Sequence, residues 1–295
     1  MKDASEEPWT TRWRVERPLD SAGAGMTALV VHTESGQKGV LKRLRPGSHR
    51  YTRANMAREI VNLNALESAG CPVPRILDKN TNAYAAKDGV LYFVREYVDG
   101  EPLNKDVEAH GPWNLKRVDE LVDALTRTLR IAFGLEILHG DLRPDNIVVT
   151  KDETTPYIIL NYGVTFDRRA RPFIVSRENA PRPRFLELPE VLLDQAEPSE
   201  ITDLTGVVAL AYYALTGDVP KTLVAEGGFA PHQRDPEAFA NRFAQTKTLV
   251  AAQAFFEQGF ARRPADRYQT LDEFRACWRR VAPISPLSLD DLDKR

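Results

Sequence analysis

His139-Gly140-Asp141-Leu142-Arg143-Pro144-Asp145-Asn146, or HGDLRPDN, runs directly into the apolar triplet Ile147-Val148-Val149. An aspartate with an asparagine five residues later, at the mouth of a strand, suits phosphoryl transfer. The carboxylate can accept a hydroxyl proton and the carboxamide can ligate a magnesium ion. The plainer alternative is a polar turn joining a helix to a strand. Downstream, Ile158-Ile159-Leu160 reads as another strand and leads into Asn161-Tyr162-Gly163.

The whole chain bounds what such a loop can serve. Its 295 residues suffice for one two-lobed domain or two small ones. With 42% apolar and 28% charged residues it has the composition of a globular protein. A net charge of −2 argues against a generic nucleic-acid binder, which carries a strong basic excess. Cys71 and Cys277 are too few for a disulfide framework. The first residues lack the apolar core of a signal peptide. No apolar run reaches membrane-spanning length, and the longest, Val207 to Leu215, fits a buried helix. The expectation is a cytoplasmic protein with neither membrane nor nucleic acid as partner.

Four segments follow along the chain: a lead at 1–13, a β-rich part at 14–98, a mainly helical part at 99–282 and a polar tail at 283–295. In the lead, Trp9 and Trp13 can tuck onto the body. Leu29-Val30-Val31, Gly39-Val40-Leu41-Lys42 and Leu91-Tyr92-Phe93-Val94 read as strands. Met56, Ile60, Leu63 and Leu66 recur at helical spacing and predict a helix over 52–69 ending at Gly70. Asn114 is a candidate cap for a long helix reaching Leu138. Helices are also predicted over 201–216 and 236–281, and an Arg- and Pro-rich loop over 165–187.

The loop 139–146 resembles the catalytic loop of protein kinases, HRDLKPEN, with Gly140 for Arg and Arg143 for Lys. Gly23-Ala24-Gly25-Met26-Thr27-Ala28-Leu29-Val30 resembles their glycine-rich loop, with Ala28 at the third glycine. The resemblance implies an α+β, bilobal fold, a small β-rich lobe with one helix followed by a larger helical lobe. It implies an ATP cleft with Lys42 on one side and Asp141 on the other. Lys42 would pair with Glu59 and the ATP phosphates. Gly23, Gly25, Ala28, Val30, Val40, Lys42 and Val148 would surround the nucleotide, and Glu96 and Val98 would form the adenine-binding hinge. Arg95 stands at the gatekeeper position, where a buried charge needs a partner. Asp141, Arg143, Asn146, Lys42 and Glu59 would be the catalytic set. Asn146 and Asn161 would face Mg, with Asn161 replacing the aspartate of Asp-Phe-Gly.

Leu188-Pro189-Glu190 resembles Ala-Pro-Glu, and Arg267 resembles the arginine that pairs with its glutamate. Asp203 resembles the aspartate that hydrogen-bonds the catalytic-loop backbone. His139 and Tyr162 would belong to the hydrophobic spine. Without an arginine at Gly140, activation-loop phosphorylation should not act as an on-switch.

Three readings stay open. One is a pseudokinase, a nucleotide-binding regulator or scaffold for a protein partner. Another is an active Ser/Thr kinase acting on a protein substrate, with an engineered Asp-to-Asn change as a variant of that reading. The third is a small-molecule kinase of the aminoglycoside-phosphotransferase-like type, disfavoured by Glu190, Asp203 and Arg267.

Overall fold

The computed structural model describes residues 7–20, 25–80, 89–162, 185–192, 198–223 and 228–283. They fall into two units. The first holds the described residues up to Asp99 and, again, 160–162; the second holds the rest.

The first unit is a five-stranded antiparallel sheet with one helix. Its strands are β1 (Trp13–Asp20), β2 (Gly25–His32), β3 (Lys38–Leu44), β4 (Ile76–Lys79) and β5 (Leu91–Glu96). They lie in the order β1-β2-β3-β5-β4. Helix α1 (Arg50–Ser68) ends at Gly70, whose φ of 76° reverses the chain. Register fixes what each face carries. Thr27 pairs with Lys42 and Lys42 with Phe93; Leu29 pairs with Val40 and Val40 with Arg95. Side chains alternate along a strand, so these six share one face. There Met56 and Ile60 of α1 pack on Leu44, Leu91 and Phe93.

Ala28, Val30, Leu41, Tyr92 and Val94 turn to the other face and form a buried cluster with Trp9 and Trp13. Polar ties hold that cover. Trp13 Nε1 donates to Asp78 Oδ2 at 2.9 Å, Arg12 pairs with Asp78 at 3.0 Å, and Arg43 pairs with Glu7. The tucking expected of the two tryptophans is therefore present, while residues 1–6 lie outside the described set.

The second unit opens with β6 (Gly100–Pro102), α2 (Leu103–His110) and α3 (Leu115–Gly134). Asn114 caps α3 by accepting from Arg117 N at 2.9 Å, as expected. The helix stops at Gly134, short of the predicted Leu138. Glu136 takes a φ of 58° and Ile137 N closes on Ala132 O at 2.8 Å, a turn that ends the helix. Strands β7 (Ile147–Thr150) and β8 (Tyr157–Ile159) join β6 in a three-stranded sheet.

The short helix α4 (Pro189–Leu192) and the long α5 (Glu200–Thr216) follow. Every residue from Asp203 to Leu215 is buried, so α5 is the axis of this unit. The stretch predicted as helix over 236–281 divides into α6 (Pro236–Ala240), α7 (Thr246–Gly259) and α8 (Leu271–Val281). Pro264, which opens a 3-10 turn, separates the last two. Phe255 of α7 sits among Phe256, Tyr268, Phe274 and Trp278. No helix among the described residues is long and apolar enough to cross a membrane.

Arg267, only 1% exposed, grips Glu190 with both terminal nitrogens, at 2.5 and 3.1 Å. It also donates to the carbonyls of Ala261 and Arg262. The staple implied by the resemblance is thus present. Arg267→Ala leaves Glu190 buried and uncompensated, so urea denaturation should show a loss of about 3–5 kcal/mol. The double change Arg267→Met with Glu190→Leu should recover most of that loss, because it removes both charges.

Candidate functional site

In the second unit the loop 139–146 hangs from α5. The backbone N–H groups of His139 and Gly140 donate to the two carboxylate oxygens of Asp203, each at 2.7 Å. One turn along α5, a Cβ at Gly206 would come within 2.9 Å of Leu142 Cβ, so glycine lets the loop seat closely. Gly140 has a φ of 74°, a conformation costing an L side chain roughly 1–2 kcal/mol. The buried imidazole of His139 accepts from Asp141 N at 3.2 Å through Nδ1, which fits the structural role expected of it.

Asn146 Nδ2 donates to Asp141 O at 2.8 Å and to Asp141 Oδ2 at 3.3 Å, so these two predicted site residues meet. Arg143 folds back on its own loop, donating to Asp145 Oδ2 at 3.0 and 2.9 Å. Val148 is buried on β7.

In the first unit Lys42, Glu59 and Asn161 come together. Lys42 Nζ donates to Glu59 Oε1 at 2.5 Å and to Asn161 Oδ1 at 2.7 Å, and lies 5.7 Å from the Phe93 ring centre. Asn161 has a φ of 65°, a left-handed conformation that asparagine accepts better than most residues. Asn62 of α1 donates to Tyr162 O at 3.2 Å and fixes the segment, a contact the motif reading missed.

Arg95 lies on the same face, 7% exposed, with one terminal nitrogen on Glu96 O at 3.2 Å. Its Nε has no partner among the described residues. Burial pushes the Lys42 amine down, opposed by Glu59 and reinforced by Arg95. Burial likewise lowers Arg95, with Glu59 opposing.

The remaining predicted positions divide. Gly23 lies outside the described residues, and Gly25 opens β2. Ala28 and Val30 are corrected: register turns them to the Trp9/Trp13 face, away from Lys42. Thr27 and Leu29 take their place beside Lys42 and Val40. The Glu96 side chain pairs with Arg75 at 3.1 Å, and Val98 lies half-buried beyond β5.

Magnesium prefers hard, charged oxygen ligands. The Asn161 oxygen is neutral and already faces the Lys42 cation, and Asn146 offers only a second carboxamide. Among the described residues no group of three or more His, Cys, Asp or Glu gathers to hold a metal. Neither carboxamide supplies the ion with an anionic ligand.

A sheet-and-helix unit carrying a Lys–Glu pair, and a helical unit carrying an Asp–Asn loop clamped by a buried aspartate, define a protein kinase fold. The protein kinase domain pattern matches residues 13–226, and the chain belongs to that family. It is 25% identical over 279 residues to the serine/threonine-protein kinase PknA of Nostoc sp., covering 91% of this chain and 47% of that protein. It is 28% identical over 292 residues to pkn2 of Myxococcus xanthus, covering 93% of this chain and 33% of that one. The chain thus spans less than half the length of these curated relatives. Among solved structures, a double mutant of the Mycobacterium tuberculosis PknI kinase domain superposes with a TM-score of 0.62 at 21% identity. That match covers 92% of this chain and 96% of the solved kinase-domain chain.

Burial pushes the Asp203 carboxyl up to about 7, against the pull of its two backbone donors. The folded state therefore holds a proton that the unfolded chain releases near pH 4. Its contribution to stability is full below that pH and is lost as pH rises through about 7. Urea midpoints measured from pH 4 to 7 should carry this slope, at most about 1.4 kcal/mol per unit, and Asp203→Asn should remove it.

Proposed function

We propose that the chain is a nucleotide-binding, catalytically impaired member of the protein kinase family that acts as a regulator or scaffold for a protein partner. The observation that carries this reading is the Lys42 amine. It is already paired with Glu59, as nucleotide binding requires, yet meets a neutral carboxamide at Asn161. In the first unit Gly25, Leu29, Val40 and Lys42, with the backbone of Glu96 and Val98, would hold ATP. In the second, Asp141 would face a hydroxyl, and Arg143 and Asn146 would support it.

Phosphoryl transfer depends on neutralising charge that develops in the transition state. Replacing a carboxylate by a carboxamide removes a full anionic ligand for Mg and weakens that step. A cytoplasmic location belongs to the same proposal and rests on the cysteine-poor composition.

An active Ser/Thr kinase is the second reading, favoured by the intact set Lys42, Glu59, Asp141, Arg143 and Asn146 and by the named kinase relatives. A small-molecule kinase is set aside because of the buried Glu190–Arg267 staple.

ATP binding should be measurable by calorimetry while transfer to a generic protein substrate stays far below the roughly 1–100 s⁻¹ of working kinases. Asn161→Asp should raise the transfer rate by about 100-fold or more. Ordinary turnover by the unaltered protein would establish the second reading instead.

A further inference from the structure

The first unit carries a charge arrangement that the kinase comparison does not account for. On the sheet face bearing Lys42, the register places Arg95 directly opposite Val40, while Phe93 sits opposite Lys42. Both cations therefore project on one side of adjacent strands, toward Glu59 of α1. Glu59 is the shared counter-ion: it pairs with Lys42 at 2.5 Å and interacts electrostatically with Arg95. Asn161 adds an oxygen but no charge.

Two cations against one carboxylate leave this face with one net positive charge. With an aspartate at 161 and an apolar residue at 95, the same face would carry one net negative charge and attract a metal ion. The two departures together shift the local charge by the amount one divalent cation supplies. Arginine does not escape the cost by deprotonating, because it stays charged under all ordinary conditions. Its guanidinium is buried, makes one backbone contact and leaves Nε without a partner among the described residues. A buried cation held this way is stabilised by an anion brought to it.

We propose that Arg95 is a ligand-binding residue: with Lys42 it makes this face a site for the phosphates of a metal-free nucleoside di- or triphosphate. The inference rests on the nucleotide-binding reading above. It assigns the counter-charge to a side chain of the protein in place of a magnesium ion, consistent with the poor fit of Asn161 and Asn146 to that ion. Glu59 remains the positioning residue for both cations.

The test is calorimetry on the full chain with ATP or ADP, in EDTA and in excess Mg²⁺. The unaltered protein should bind the metal-free nucleotide more tightly than its Mg²⁺ complex. Arg95→Met keeps the side chain's length and removes its charge. It should weaken metal-free binding by roughly 10- to 100-fold, the loss expected for one charged hydrogen bond. Arg95→Lys should retain most of it, and Asn161→Asp should reverse the preference toward the Mg²⁺ complex. Far-ultraviolet dichroism and a thermal melt of each variant show whether it is folded, and the comparison of EDTA with Mg²⁺ on the unaltered protein needs no variant.

Binding by the unaltered protein only in Mg²⁺ would overturn the proposal and leave the nucleotide-binding reading standing. Tighter metal-free binding by Arg95→Met would also overturn it, marking Arg95 as an occluding side chain. Absence of nucleotide binding by every form in both conditions would overturn both readings together.

Discussion

The carboxyl group of Asp203 sits in the first turn of α5, the buried axis of the second unit, and its oxygens accept from two peptide N–H groups. Burying a carboxylate is costly unless its oxygens are occupied. Both are occupied here by the backbone of His139 and Gly140 at 2.7 Å, so α5 and the loop 139–146 cannot separate without breaking both hydrogen bonds. The rest of the loop follows from that anchor. Gly206 lets Leu142 close in, Asp141 N reaches the His139 ring, and Asn146 ties back to Asp141. The geometry of the Asp–Asn pair is thus set by a helix that touches neither side chain's chemistry.

The first unit is governed by a different balance. Lys42 and Arg95 are drawn to one glutamate, and the carboxamide of Asn161 completes the lysine's shell. Here the lysine is kept, oriented and partly desolvated, and a second cation is stationed beside it.

Much of the fold was legible because its signals are local. Strand runs of Val, Leu and Phe, the spacing of Met56, Ile60 and Leu63, and the Asn114 cap each act within one turn or one strand. The Glu190–Arg267 and Asp203 contacts were legible only through motif spacing, since no local pattern pairs residues so far apart. The glycine-rich stretch misled by one residue. Counting from Gly23 puts Val30 on the nucleotide side with Val40, whereas the ladder that starts at Gly25 puts Leu29 opposite Val40, and a shift of one residue exchanges the two faces. The apolar Leu135, Ile137 and Leu138 disguised the end of α3, where Glu136 turns left-handed. That Arg95 and Lys42 share Glu59 is a property of register and not of any motif.

Trp9 and Trp13 close the face of the sheet that α1 leaves uncovered. The family pattern begins at residue 13, so one of the two indoles that seal the sheet lies upstream of it. A sheet whose outer surface is sealed by its own leading segment has that surface already taken. A partner that approaches the unit from that side meets the tryptophan-bearing segment before the sheet.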